Sequence, residues 1–143
     1  YFNHQSAMIT ADPAANCAGG FSTLLGGLVA TASGFSLVYQ DAAGGAHLGT
    51  FDTGGAPVSD RVLAVPGSSR LAAYDGGLLL GSGGPGSAQL QRLDATGQDV
   101  GAAATPPGLS LPEQDFEGRS DGEVAWATAS GTELGVVRGR VCE

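Results

Sequence analysis

A chain of 143 residues, 42% of them hydrophobic, is long enough to bury one core of its own and too apolar for a disordered polymer. Six arginines, no lysine and 14 acidic residues give a net charge of −8, which excludes the clustered basic surface that nucleic acids and anionic membranes need. The 25 glycines and 7 prolines follow no collagen period, and no apolar run reaches the 18 residues of a membrane helix, so the composition suits short strands joined by tight turns.

The opening Tyr1-Phe2-Asn3-His4 is neither an initiator Met nor a signal peptide. The expectation is a processed product or a piece of something longer, with 1–24 as an N-terminal extension or edge strand. Neither Asn3 nor Asn16 starts an Asn-X-Ser/Thr acceptor. Cys17 and Cys142 lie near opposite ends, outside any CxxC or Cys/His cluster, which argues against zinc. A Cys17–Cys142 disulfide is the first expectation and free thiols the second. In the loop-entropy model the bridge would contribute about 5 kcal/mol at most, and it implies an oxidising compartment.

From about residue 25 the chain repeats itself. The segment Ala46-His47-Leu48-Gly49-Thr50-Phe51-Asp52-Thr53-Gly54-Gly55 aligns without gaps with Ala88-Gln89-Leu90-Gln91-Arg92-Leu93-Asp94-Ala95-Thr96-Gly97. The same offset places Val29-Ala30-Thr31 on Leu71-Ala72-Ala73. A looser third copy sets Asp121-Gly122-Glu123-Val124-Ala125-Trp126 on Asp75-Gly76-Gly77-Leu78-Leu79-Leu80, and Glu133-Leu134 on Gln89-Leu90. The repeats span about 25–66, 67–112 and 113–143. Strands are expected at 29–31, 35–39, 46–51, 71–74, 78–80 and 89–93, with 61–64 as a fourth, outer strand. Asp52-Thr53-Gly54-Gly55 and Asp94-Ala95-Thr96-Gly97 read as hairpin loops, with Asp capping backbone amides and Gly supplying positive φ. The run Leu78-Leu79-Leu80 is apolar on both faces, as a strand covered from both sides would be. No segment carries a capped 3.6-residue apolar stripe. The fold class is all-β.

Repeats of about 40–45 residues with four strands each are the pattern of β-propeller blades. The stretch Leu90-Gln91-Arg92-Leu93-Asp94-Ala95-Thr96-Gly97-Gln98-Asp99-Val100-Gly101 resembles the outer hairpin of blades in large secreted bacterial propellers, and Trp126 sits where such blades carry an inner-strand aromatic. The resemblance implies a partial propeller completed by other blades, by another chain or by a second copy of this one. A β-sandwich or a short solenoid is the alternative fold.

Candidate chemistry is sparse. His4 and His47 form no HxxH pattern, and His47, aligned with Gln89, is expected at an exposed strand position. No G-x-S-x-G elbow surrounds Ser22, Ser36 or Ser82. The segment Gly81-Ser82-Gly83-Gly84-Pro85-Gly86-Ser87 lacks the Lys-Ser/Thr of a P-loop and reads as a turn. Glu113, Asp115 and Glu117 lie in an acidic, Pro-flanked loop. Alternate spacing could set their carboxylates on one side of an extended segment, which would suit calcium, but the EF-hand pattern is missing. The single Trp and three Tyr do not recur at matched positions, which disfavours a repeated sugar site. Trp126 and Tyr39 are expected in the core.

The reading is a non-enzymatic structural or protein-interaction module of a secreted or cell-surface assembly, from a high-GC bacterium by its Ala/Gly/Arg usage. No catalytic residue and no cofactor is assigned, with calcium as the one candidate. A single-site glycan- or peptide-binding segment is the second reading. A processed chain of a larger secreted hydrolase is the third.

Overall fold

The computed structural model describes residues 24–41, 43–65, 68–84, 86–111, 116–119, 122–130 and 132–140. The expectations for segment 1–23, His4, Cys17, Ser22, Glu113, Asp115 and Cys142 lie outside these residues. Among the described residues the chain is all-β, with eleven strands and no helix.

The strands fall into three antiparallel sheets, each a simple meander in chain order. Sheet 1 contains β1 (Leu24–Thr31), β2 (Gly34–Gln40), β3 (Ala46–Asp52) and β4 (Pro57–Leu63). Sheet 2 contains β5 (Ser68–Tyr74), β6 (Gly77–Gly83), β7 (Gln89–Leu93) and β8 (Asp99–Ala104). Sheet 3 contains β9 (Phe116–Gly118), β10 (Val124–Ser130) and β11 (Glu133–Gly139). Antiparallel neighbours need only short connections, and this sequence supplies them with Asp and Gly. Asp52 accepts from the backbone N–H groups of Gly54 and Ala56, at 2.9 and 2.8 Å. Asp94 does the same for Thr96 and Gln98, and Asp41 for Ala43 and Gly45.

Two apolar layers hold the sheets together. Val29, Val38, Leu48 and Leu63 of sheet 1 meet Leu71, Leu78, Leu80 and Leu93 of sheet 2. On the opposite side of sheet 2, Ala72, Tyr74, Leu79 and Leu90 meet Phe116, Val124 and Trp126 of sheet 3. The alternation of β6 explains this: Leu78 and Leu80 point one way and Leu79 the other, all three buried, as expected for a strand covered on both faces. Leu109 and Leu111 close the second layer, and Trp126 Nε1 donates to the Ser110 carbonyl at 3.1 Å.

The first strands of successive sheets run side by side at backbone distance. A Cβ on Gly26 would collide with the Ser69 carbonyl, and one on Gly118 with the Ala73 carbonyl. Farther out, Leu48 of β3 packs on Gly97 in the β7–β8 turn, where a Cβ would lie 2.8 Å from Leu48 Cδ2. Gly97 also has φ +84°, so it meets two demands that only glycine satisfies together.

Several sequence expectations need correction. The fourth strand of sheet 1 runs from Pro57 to Leu63, not over 61–64. Gly81, Ser82 and Gly83 belong to β6, so the turn is shorter than 81–87 and Ser82 is a buried strand residue. Asp99–Ala104 forms β8, and Phe116–Gly118, within the expected acidic loop, forms β9 with Phe116 buried. The repeat is also less regular than gapless alignment implies. Thr31 and Tyr74 hold equivalent places before two-residue turns, an offset of 43, because the β2–β3 connection is one residue longer than β6–β7. In the third sheet Val136 pairs with Ala127 as Leu90 pairs with Gly81, an offset of 46 in both β10 and β11, so Glu133 is not the counterpart of Gln89. A one-residue slip matters because it turns every side chain to the other face.

Candidate functional site

A cluster of ionisable side chains lies on the face of sheet 1 turned away from sheet 2. His47 on β3 sits opposite Tyr39 on β2 and next to β4. The two rings stack with centroids 4.9 Å apart and planes at 17°. His47 Nδ1 is 3.1 Å from Asp60 Oδ2, and Nε2 is 3.3 Å from Asp41 Oδ2. A neutral imidazole has one N–H and serves one carboxylate, whereas the protonated ring donates to both. Hydrogen bonds led by the Gly45 amide hold the Asp41 carboxyl below its ordinary range. Burial first, and then the charge and hydrogen bond of Asp60, push the Tyr39 phenol up to about 12. The expected exposed strand position for His47 is therefore wrong, since its side chain is only 15% exposed. Its partners are two carboxylates and an aromatic ring. That arrangement fastens the β2–β3 turn and β4 to β3.

The other candidates are dispersed. Ser36 and Ser82 are buried in β2 and β6, and Glu117 is exposed on β9. Trp126 is buried, tilted against Phe116 at 5.6 Å. Among the described residues no group of three or more His, Cys, Asp or Glu side chains is arranged to hold a metal ion.

Two sheet faces carry exposed apolar side chains among the described residues. Register defines the first. Phe116, Val124 and Trp126 dock sheet 3 on sheet 2, and Leu71, Leu78, Leu80 and Leu93 dock sheet 2 on sheet 1. The same strand positions in sheet 1 hold Leu28, Phe35, Leu37 and Phe51, paired across the strands as their counterparts are. These side chains point away from sheet 2; Leu28 is 54% exposed and Phe35 38%, while Phe51 is half-buried and Leu37 is buried. Exposed Val62 lies on the same face.

The second open face is on sheet 3. Leu48 of sheet 1 and Leu90 of sheet 2 lie in the layers that receive the next sheet. Their counterpart Val136 is 67% exposed, beside exposed Ala127, Leu134 and Arg138. The stack therefore ends in a docking face on one side and a receiving face on the other.

No family model, curated protein or solved structure matches this chain. The open faces and the His47 cluster are accordingly read from their own chemistry. Alignment of the repeats missed both. The counterparts of Leu28 and Phe35 are visible only once the one-residue difference between hairpins is counted. The partners of His47 lie 6 and 13 residues away in sequence. The alternation in Phe35-Ser36-Leu37 was the one available signal of an apolar outer face.

Proposed function

We propose that the chain is a run of three β-propeller blades and acts as a protein-interaction module, its two outward faces being covered by further blades of an assembly. The observation that carries this reading is the repetition of one docking face in all three sheets, with Leu28 and Phe35 of the copy on sheet 1 exposed. An open apolar face of this kind on a folded domain marks an interaction surface. Two features fit blades better than a sandwich. Each sheet is a meander in chain order, and its first strand lies against the first strand of the next sheet. A two-sheet sandwich would bury one face of each sheet and leave the other polar, whereas sheet 2 is apolar on both. A ring abolishes the open ends that a stack of three leaves.

The module reading includes a secreted or cell-surface setting and a bridge between Cys17 and Cys142. An intact mass after alkylation, with and without reduction, tests the bridge. The test of the module itself is hydroxyl-radical footprinting of the purified chain alongside its mass by light scattering. Phe35, Leu28 and Val136 are expected to label in a particle of one chain and to be shielded in a larger one. A particle of 14.1 kDa with all three shielded would mean that the chain covers its own faces, and the module reading would be wrong.

A further inference from the structure

We propose that the partner is a second copy of this chain, joined head to tail, sheet 3 of each copy receiving sheet 1 of the other. The inference rests on the module reading and names its partner.

The argument begins with the contact already made inside one chain. Sheet 1 receives sheet 2 through Val29, Val38 and Leu48, against Leu71, Leu78, Leu80 and Leu93. Leu48 Cδ2 and Thr50 Cγ2 also approach Gly97, in the turn that Asp94 caps. Both halves of this contact recur at the two ends of the stack, where Leu28, Phe35 and Val136 are exposed, Phe51 is half-buried and Leu37 is buried. Val136 stands in the place of Leu48 and Arg138 in the place of Thr50. Leu28, Phe35, Leu37 and Phe51 stand in the places of the sheet 2 leucines. The Asp52–Gly55 turn stands in the place of the Asp94–Gly97 turn, and Gly55, like Gly97, has positive φ, +83°.

Repeating the internal contact between copies therefore sets Val136 on Gly55. It also carries the exposed guanidinium of Arg138 to the turn that holds the Asp52 carboxylate. The outward face of sheet 1 carries Asp41 and Asp60, and β11 brings Arg138 to the face that would meet it. An Arg–Asp pair already joins neighbouring sheets within the chain: Arg61 of β4 donates to Asp99 of β8 at 2.8 Å.

The two faces differ, so each fits the other and neither fits itself. Such a heterologous contact closes into a ring or grows without limit. Propeller rings hold about four to eight blades, and with three sheets among the described residues of each chain two copies fall in that range. Glu117 is the mismatch. It pairs with Ala125, the residue opposite Arg138, and it faces the apolar side of the incoming sheet.

The test uses the full chain and two variants at exposed sites, Phe35→Asp on the docking face and Val136→Asp on the receiving face. Thermal unfolding followed by circular dichroism confirms that each variant folds. Light scattering after size exclusion is expected to give twice the chain mass for the parent protein. Each variant alone carries a buried aspartate in both contacts of the ring and is expected to run as a monomer. An equimolar mixture keeps one undamaged contact, and is expected to restore a one-to-one dimer that dissociates at least tenfold more readily than the parent. Glu117→Gln is expected to tighten the parent dimer several-fold.

A dimer that survives Val136→Asp, or variants that do not complement on mixing, would overturn the head-to-tail arrangement. A monomeric parent whose Phe35 and Val136 label freely would overturn the second copy and leave the module reading standing with a different protein as partner. A monomer in which both are shielded would overturn both.

Discussion

Asp94 illustrates how one carboxylate holds a turn. Its Oδ1 accepts from the Thr96 hydroxyl at 2.7 Å and from the Thr96 and Gln98 amides at 2.8 and 3.0 Å. These bonds favour the ionised form, the Thr96 hydroxyl most, and hold the carboxyl below its ordinary value. Asp41 is lowered in the same way, first by the Gly45 amide. A carboxyl whose pKa is lower folded than unfolded adds stability above its unfolded value, near pH 4, and loses it as pH falls through the folded value. Stability should therefore drop below about pH 4, with Asp41 and Asp94 both contributing. Asp94→Asn keeps an acceptor oxygen but removes the titration. Its thermal midpoint should lie below the parent's at neutral pH and converge on it in acid. A midpoint difference that stays constant from pH 7 to pH 2 would show that ionisation of Asp94 does not matter.

At the scale of the element, a strand in this chain is set by what lies on each side of it. The run Leu78-Leu79-Leu80 is legible as a strand buried on both faces, and the structure places it there, because continuous apolarity in so short a run has few other uses. The turns at Asp52 and Asp94 are legible for the same local reason. The strand Asp99–Ala104 is not. Its residues Asp-Val-Gly-Ala-Ala-Ala carry little β preference, and pairing with β7 makes it a strand. The strand Phe116–Gly118 is hidden in an acidic run and exists through its pairing with Val124, Ala125 and Trp126. The His47 cluster was illegible because its geometry depends on the registers of β2, β3 and β4 together. Gly118 shows the same dependence, since its lack of a side chain lets β9 approach β5. In Gly118→Ala the new methyl meets the Ala73 carbonyl, a backbone atom that cannot swing aside. The cost should be on the order of 1–3 kcal/mol, read by denaturant unfolding. A loss below a few tenths of a kcal/mol would mean that the two strands are not in backbone contact.

Across the whole molecule, stability passes from sheet to sheet through sheet 2. Sheets 1 and 3 each bury one described face against it, while Leu28 and Phe35 on the outward face of sheet 1 and Leu134 and Val136 on that of sheet 3 stay exposed. Among the described residues the main contacts between sheets run from sheet 1 to sheet 2 and from sheet 2 to sheet 3, as in a short one-dimensional array. In such an array the ends open first and the middle opens only with the whole. Native-state hydrogen exchange should therefore be slowest at the amides of β6 and faster in β4 and β11. Leu79 and Leu48 separate the two layers, because Leu79 belongs to the sheet 2–sheet 3 core and Leu48 to the sheet 1–sheet 2 core. Both are almost completely buried, and either Leu→Ala change should cost about 2–5 kcal/mol of local packing. Leu79→Ala should speed exchange in β10 and β11 more than in β2 and β3, and Leu48→Ala should do the reverse. Equal loss of protection in all three sheets from either variant would mean that the molecule opens as one unit. Differential loss would mean that each end sheet can detach separately, and covering the outward faces would then slow exchange at the ends far more than at β6.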